Sequence, residues 1–164
     1  MSQCHERQDH VHRTLRAILA EGRVVCNARD LLGGGLIADR LALLGDGSSL
    51  VTGFIVDGGI LRTNVVKTNN AADSKVPWTL TNGAGVYLKS AMSATTVTAS
   101  NPAGEGIDNV LSVEALDVET KLDLSETTLT IAGDVSVGGD IMWSMVSGAI
   151  GGAVTGQKLQ ALDS

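Results

Sequence analysis

The sharpest alternation of apolar and polar positions lies between residues 116 and 141. LDVETKLDL places Leu116, Val118, Leu122 and Leu124 on one face and Asp117, Glu119, Lys121 and Asp123 on the other. Successive strand side chains point to opposite faces, so a period of two predicts a half-buried strand. The alternation resumes with Leu129, Ile131, Gly133, Val135, Val137, Gly139 and Ile141, opposed by Thr128, Thr130, Asp134, Ser136 and Asp140. Within it, IAGD at 131–134 recurs as VGGD at 137–140. A short repeat of β-branched residue, small residue, Gly and Asp fits stacked β structure.

The period changes toward both ends. Val11, Leu15 and Ile18 follow i, i+4, i+7 spacing and predict an amphipathic helix over 5–21, with Gly22 as its stop. These three residues form its contact face, which must pack on the rest of the chain or on copies of itself. Residues 23–66 are short apolar runs broken by glycine, with Asp-Gly at 46–47 and 57–58. Asp-Gly favours tight turns, so short strands are expected here, with a brief helix over 36–44 as the alternative. Residues 67–75 read as a loop, VPWTLTNGAGVYLKS as a hairpin around Asn82-Gly83, and 100–109 as a second loop. The tail, 141–157, carries no charge between Asp140 and Lys158. Ser144, Gly148, Gly152 and Gly156 recur every four residues; on a helix they make one smooth stripe for close packing. A Gly-rich extended segment within an assembly is the other reading.

Composition sharpens this picture. The 164 residues are 43% hydrophobic, but only Phe54, Trp78, Tyr87 and Trp143 are aromatic, and 20 are glycine. A compact enzyme core usually leans on aromatic area. This chain relies on small and β-branched aliphatics, which suits thin layers, stacked strands or shared interfaces. No G-X-Y period points to collagen, and the apolar content excludes full disorder. The net charge of −6 speaks against general nucleic-acid binding. All arginines lie at or before Arg62 and all lysines at or after Lys67, giving a near-neutral front and an acidic back. Two cysteines, Cys4 and Cys26, are too few for a disulfide framework. The opening residues lack the apolar core of a secretory signal.

The stretch LDLSETTLTIAGDVSVGGDI resembles stalk segments of bacteriophage tail fibres, tail spikes and related virion appendages, which carry runs of the type LTV-x-GD-V-x-V-x-GD-I. The resemblance covers roughly residues 115–141. It implies a homotrimer whose strands wrap a shared axis, with Leu129, Ile131, Val135, Val137 and Ile141 facing the axis or a neighbouring chain. The chain is short and shows no receptor-binding head, so a connector, baseplate, collar or capsid-appendage role fits better than a host-binding tip.

The candidate chemistry is thin. Gly33, Gly35 and Ala38 match G-x-G-x-x-A with Asp57 about twenty residues on, but the flanking pattern is not strand–turn–helix. Cys4, His5, His10, His12 and Cys26 lack metal-ligand spacing, although His5, Asp9 and His12 share one helical stripe. Asp117/Glu119 and Asp134/Asp140 fall on the polar faces of strands, where charge opposes edge-to-edge aggregation. No catalytic, metal or cofactor-binding residues are assigned, and no cofactor is expected.

The expectation is therefore a mainly β protein with an N-terminal α-helix, short strands and hairpins, an intertwined trimeric β-stalk, and a C-terminal Gly-rich apolar segment. Its parts are an N-terminal helix (1–22), a Gly-rich docking module (23–66), a β-rich stalk (67–140) and an apolar tail (141–164). It is expected to be a non-enzymatic structural component of a bacteriophage virion (tail, baseplate, collar or fibre), assembled in the bacterial cytoplasm. Its expected partners are its own copies and other virion proteins, not nucleic acid. Two other classes are a membrane-inserting protein using residues 141–157 and a polymerising β-solenoid scaffold.

Overall fold

The computed structural model describes residues 14–18, 23–27, 35–44, 53–68, 75–102 and 106–163, with the backbone alone described for those before residue 53. Every regular element among them is a strand. They are β1 (Thr14–Ile18), β2 (Arg23–Asn27), β3 (Gly35–Leu44), β4 (Gly53–Asp57), β5 (Ile60–Thr68), β6 (Trp78–Thr81) and β7 (Gly85–Leu88). There follow β8 (Met92–Ser100), β9 (Asn109–Val113), β10 (Leu116–Ile131), β11 (Val135–Val137), β12 (Asp140–Ile150), β13 (Val154–Thr155) and β14 (Lys158–Leu162).

Among the described strands all pairings are parallel, and from β1 to β8 each strand pairs with the next but one. The order is β1-β3-β5-β7-β9 on one side and β2-β4-β6-β8 on the other, joined through β10. Parallel neighbours require a return crossover. Here the opposite wall of the coil is the return, so the chain winds one sheet into a nearly closed solenoid.

Strand β10 holds a complete turn of the winding. Its first part stacks on β8, with Leu116 beside Met92, Leu122 beside Val97 and Leu124 beside Ala99. Its last part stacks on β9, with Leu129 beside Leu111 and Ile131 beside Val113. Two corners divide it. The register shifts between Val118 and Lys121, and Glu126 adopts φ 47°. The second corner also changes the inward phase, from Leu124 to Thr127, Leu129 and Ile131. The next turn repeats the layout: Leu116 lies beside Val135, Leu122 beside Ile141 and Ile131 beside Ile150.

The stacked inward side chains form one interior whose buried members run from Phe54 to Val146. Leu80, Val86, Val97, Leu111 and Leu122 are fully buried, each worth roughly 1.5–3 kcal/mol relative to exposure. Phe54 and Trp78 stack face to face in adjacent turns, 4.1 Å between ring centroids. The predicted alternation of 116–124 and of 129–141 is present, with Leu116, Val118, Leu122, Leu124, Leu129, Ile131, Val135, Val137 and Ile141 all buried.

Several local expectations need correction. The helix over 5–21 is not confirmed: Thr14–Ile18 is strand β1, paired with Arg40–Leu44, and the remainder, with Val11, lies outside the described residues. Leu15 and Ile18 therefore sit on a strand. Residues 36–44 are strand rather than helix. No hairpin forms at Asn82-Gly83: β6 pairs with β4 and β8, and β7 with β5 and β9. Asn82 and Gly83 have positive φ, as a tight turn needs. They turn the chain onto the next wall of the same coil instead of back along its neighbour. The tail is not helical either: its residues build β12, β13 and the approach to β14.

The glycines of that tail serve close stacking between turns. A Cβ on Gly148 would collide with the Leu129 carbonyl oxygen, one on Gly152 with the Asp134 carboxylate, and one on Gly156 with the Ile141 side chain. Spacing by four suggested a helix, but each glycine meets a different part of the preceding turn. Tertiary stacking, not local periodicity, selects the residue.

Candidate assembly interface

The last described turn is the feature that sets this solenoid apart from a closed globule. Val154 continues the inward row Leu116–Val135, and Leu159 continues the row Val97–Leu122–Ile141. Their predecessors Val135 and Ile141 are each 1% exposed, whereas Val154 is 39% and Leu159 55% exposed. Ala161 likewise follows Leu124 and Trp143. These side chains stand in register with inward positions of the preceding turn. No described strand pairs with the far edge of β13 or β14. Beneath them the indole Nε1 of Trp143 is buried without a hydrogen-bond partner.

The last turn is nevertheless well anchored. Ala153 N donates to Asp134 Oδ1 at 2.8 Å, and Val135 N donates to the Ala153 carbonyl at 2.8 Å. Gln157 clamps the next corner, its backbone N donating to the Gly139 carbonyl at 2.9 Å and its Nε2 to the Gly138 carbonyl at 2.7 Å. The exposed apolar layer is thus presented on a fixed frame.

A polar corner sits far from this end. Asp57 Oδ1 accepts from Asn82 Nδ2 at 2.6 Å and from Thr81 Oγ1 at 3.3 Å. Asn101 Oδ1 accepts from Gly83 N at 3.0 Å, and Asn109 Oδ1 accepts from Ala84 N at 2.9 Å. Asn82 Oδ1 and Asn109 Nδ2 are buried and unpartnered. Asn101 and Asn109 bind backbone and Asn82 binds the Asp57 carboxylate, so together they hold adjacent turns of the winding. Sequence reasoning read this stretch as a hairpin and missed the role of the asparagines.

The other expected sites are dispersed. Leu129, Ile131, Val135, Val137 and Ile141, expected on a face shared between chains, all lie inside the single chain's interior. Ser144, Gly148, Gly152 and Gly156 do not line one stripe; they fall on β12 and on the corners around β13. Ala38 lies within strand β3, which begins at Gly35, so the G-x-G-x-x-A spacing does not open a helix. Cys4, His5, His10 and His12 lie outside the described residues, and Cys26 is in β2. Asp117 pairs with Lys75 at 2.7 Å on the surface, and Asp134 braces the last turn. Among the described residues no group of three or more His, Cys, Asp or Glu is arranged to hold a metal ion. An open groove lined by Gly106, Asp108, Glu126, Met145, Val146, Ser147 and Asp163 runs along one corner. Among the described residues no helix is long and apolar enough to cross a membrane.

Among the described residues the fold defines a class: an all-β, stacked coil of parallel strands. No protein family, curated protein or solved structure matches the chain.

Proposed function

We propose that the chain is a structural component of a bacteriophage virion appendage, a stiff β segment that assembles with its own copies and with neighbouring virion proteins. The observation that supports this reading is the stacked winding, in which parallel strands in register enclose one apolar interior from Phe54 to Val146. The resemblance of 115–141 to appendage stalks supports the virion setting, and the IAGD and VGGD runs that carry it form corners of the winding.

The residues that argued for a shared trimeric core are buried without a second chain, so contacts between copies would use the outer faces of the winding. The winding itself favours one second reading, a cellular solenoid scaffold that polymerises end to end. Light scattering on the purified chain separates them. A fixed mass at a small multiple of 16.9 kDa supports a closed virion component, mass that grows with concentration supports the polymer, and a monomer contradicts self-assembly. Antibody labelling of phage particles tests the setting: label at one fixed position on the particle is expected, and label confined to the soluble fraction contradicts it.

A further inference from the structure

The polar corner at Asn82 carries a chemical liability as well as a structural role. Asn82-Gly83 is the chain's single Asn-Gly, the dipeptide whose side-chain amide is most readily attacked by the following nitrogen, because glycine has no Cβ to hinder ring closure. We propose that Asn82-Gly83 is a deamidation site that the folded corner holds silent, and that conversion, once the corner opens, keeps it open. In the reaction the Gly83 nitrogen bonds to Asn82 Cγ, the Cγ–Nδ2 bond breaks, and the Gly83 amide proton leaves with Nδ2 as ammonia. Water then opens the succinimide at either carbonyl and leaves aspartate or isoaspartate at position 82.

The fold imposes the dipeptide and blocks its chemistry. Asn82 has φ 57° and Gly83 φ 74°, left-handed conformations that favour asparagine and glycine. A Cβ on Gly83 would lie 2.8 Å from Ile107 Cγ2, so only glycine fits. Several contacts then oppose ring closure. The Gly83 N–H donates to Asn101 Oδ1 at 3.0 Å, and Asn101 is held in turn by its Nδ2, which donates to the Ile107 carbonyl at 2.8 Å. Attack requires loss of that amide proton, and a neutral amide oxygen accepts a hydrogen bond without taking the proton. The leaving nitrogen, Asn82 Nδ2, is anchored to Asp57 Oδ1 at 2.6 Å. Asn82 Oδ1, where negative charge develops as the ring closes, is buried without a donor. In the preceding turn Asp57-Gly58 repeats the arrangement, with the Gly58 N–H donating to the Thr81 carbonyl at 2.8 Å. Conversion at 82 would reverse the contact between the turns. The donor facing Asp57 becomes a carboxyl oxygen, so acceptor meets acceptor, and isoaspartate also lengthens the main chain at the corner.

The test follows residue 82 in the full-length chain at neutral pH. The tryptic peptide 76–89 contains Asn82 as its one asparagine, so mass spectrometry reads the exchange of amide for carboxyl, and enzymatic methylation reads isoaspartate. Conversion in the folded chain is expected to be at least ~tenfold slower than in urea, where the corner is open. Asn101→Ala frees the Gly83 N–H and should raise the folded-state rate by roughly tenfold. Leu122→Ala weakens the interior away from the corner and should leave that rate slow. Asn82→Asp should lower the melting temperature. Adding Asp57→Asn should restore it in freshly purified protein, because donor and acceptor are then exchanged. Equal rates in the folded and urea-unfolded chain overturn the protection. No acceleration by Asn101→Ala, or equal acceleration by Leu122→Ala, overturns the local clamp. An unchanged melt of Asn82→Asp, or a failed rescue by Asp57→Asn, overturns the contact that conversion is expected to break.

Discussion

Leu122→Ala tests the wound interior at its most enclosed point. Leu122 is fully buried, and the parallel ladders fix Val97 on one side of it and Ile141 on the other. Truncation removes the side chain from the middle of a row whose spacing is set by backbone hydrogen bonds, so the walls cannot collapse into the space. Leucine-to-alanine changes in cores cost about 2–5 kcal/mol, more where the cavity persists. The rigid ladder places Leu122→Ala in the middle of that range, near ~3 kcal/mol. Urea denaturation followed by circular dichroism should show the midpoint fall with little change in slope. Ser136→Ala, outward and exposed on the next turn, should change stability by less than about 0.5 kcal/mol. Each turn touches mainly its neighbours, so amide exchange should accelerate most in β8, β10 and β12 and least in β4. A loss below about 1 kcal/mol, or equal losses for both substitutions, would refute the stacked row.

Other substitutions test separate parts of the account. Val135→Asp buries an unpaired carboxylate where the wild-type side chain is 1% exposed, and should abolish folding of the monomer itself, read as loss of the β signal in circular dichroism. Gly139→Ala pushes a methyl group into the Thr120 carbonyl; a cost of about 1–3 kcal/mol is expected by thermal melting, and an unchanged melt would mean the turns are not in close contact. Asn109→Ala strands the Ala84 amide and should cost roughly 1–3 kcal/mol in urea. Lys75→Ala removes an exposed ion pair with Asp117 and should shift stability by less than about 1 kcal/mol, a difference that shrinks further in high salt.

The strands of the second half were legible because their alternation is strict. Leu116 through Leu124 announce a half-buried strand from sequence alone, and the structure buries the same four side chains. What the alternation does not encode is the partner. An inward row looks the same whether it faces another wall of its own coil or the axis of a trimer, and so Leu129 to Ile141 were read as an inter-chain face. The winding period was hidden by its corners. IAGD and VGGD recur after six residues because they are two corners of one turn, while the true register, Leu122 beside Ile141 and Leu116 beside Val135, spans whole turns. The Asn82-Gly83 turn misled for a related reason: the positive-φ chemistry that closes a hairpin also folds a corner. The last turn was half visible. The uncharged run before Lys158 signalled an unusual tail, but only stacking shows that Val154 and Leu159 continue the inward rows of Val135 and Ile141.

The central claim is that the chain winds on itself and does not extend along a shared stalk, and a distance between Ser93 and Ser136 tests it most directly. Both lie in one outward row, each in register with Asp117, two strand spacings apart, or about 10 Å. An extended stalk would separate them by roughly 140 Å. Spin labels on Ser93→Cys and Ser136→Cys in a cysteine-free background, diluted with unlabelled chain to silence contacts between copies, should give strong dipolar broadening. A pair with no measurable coupling at that dilution would contradict the winding and everything built on it.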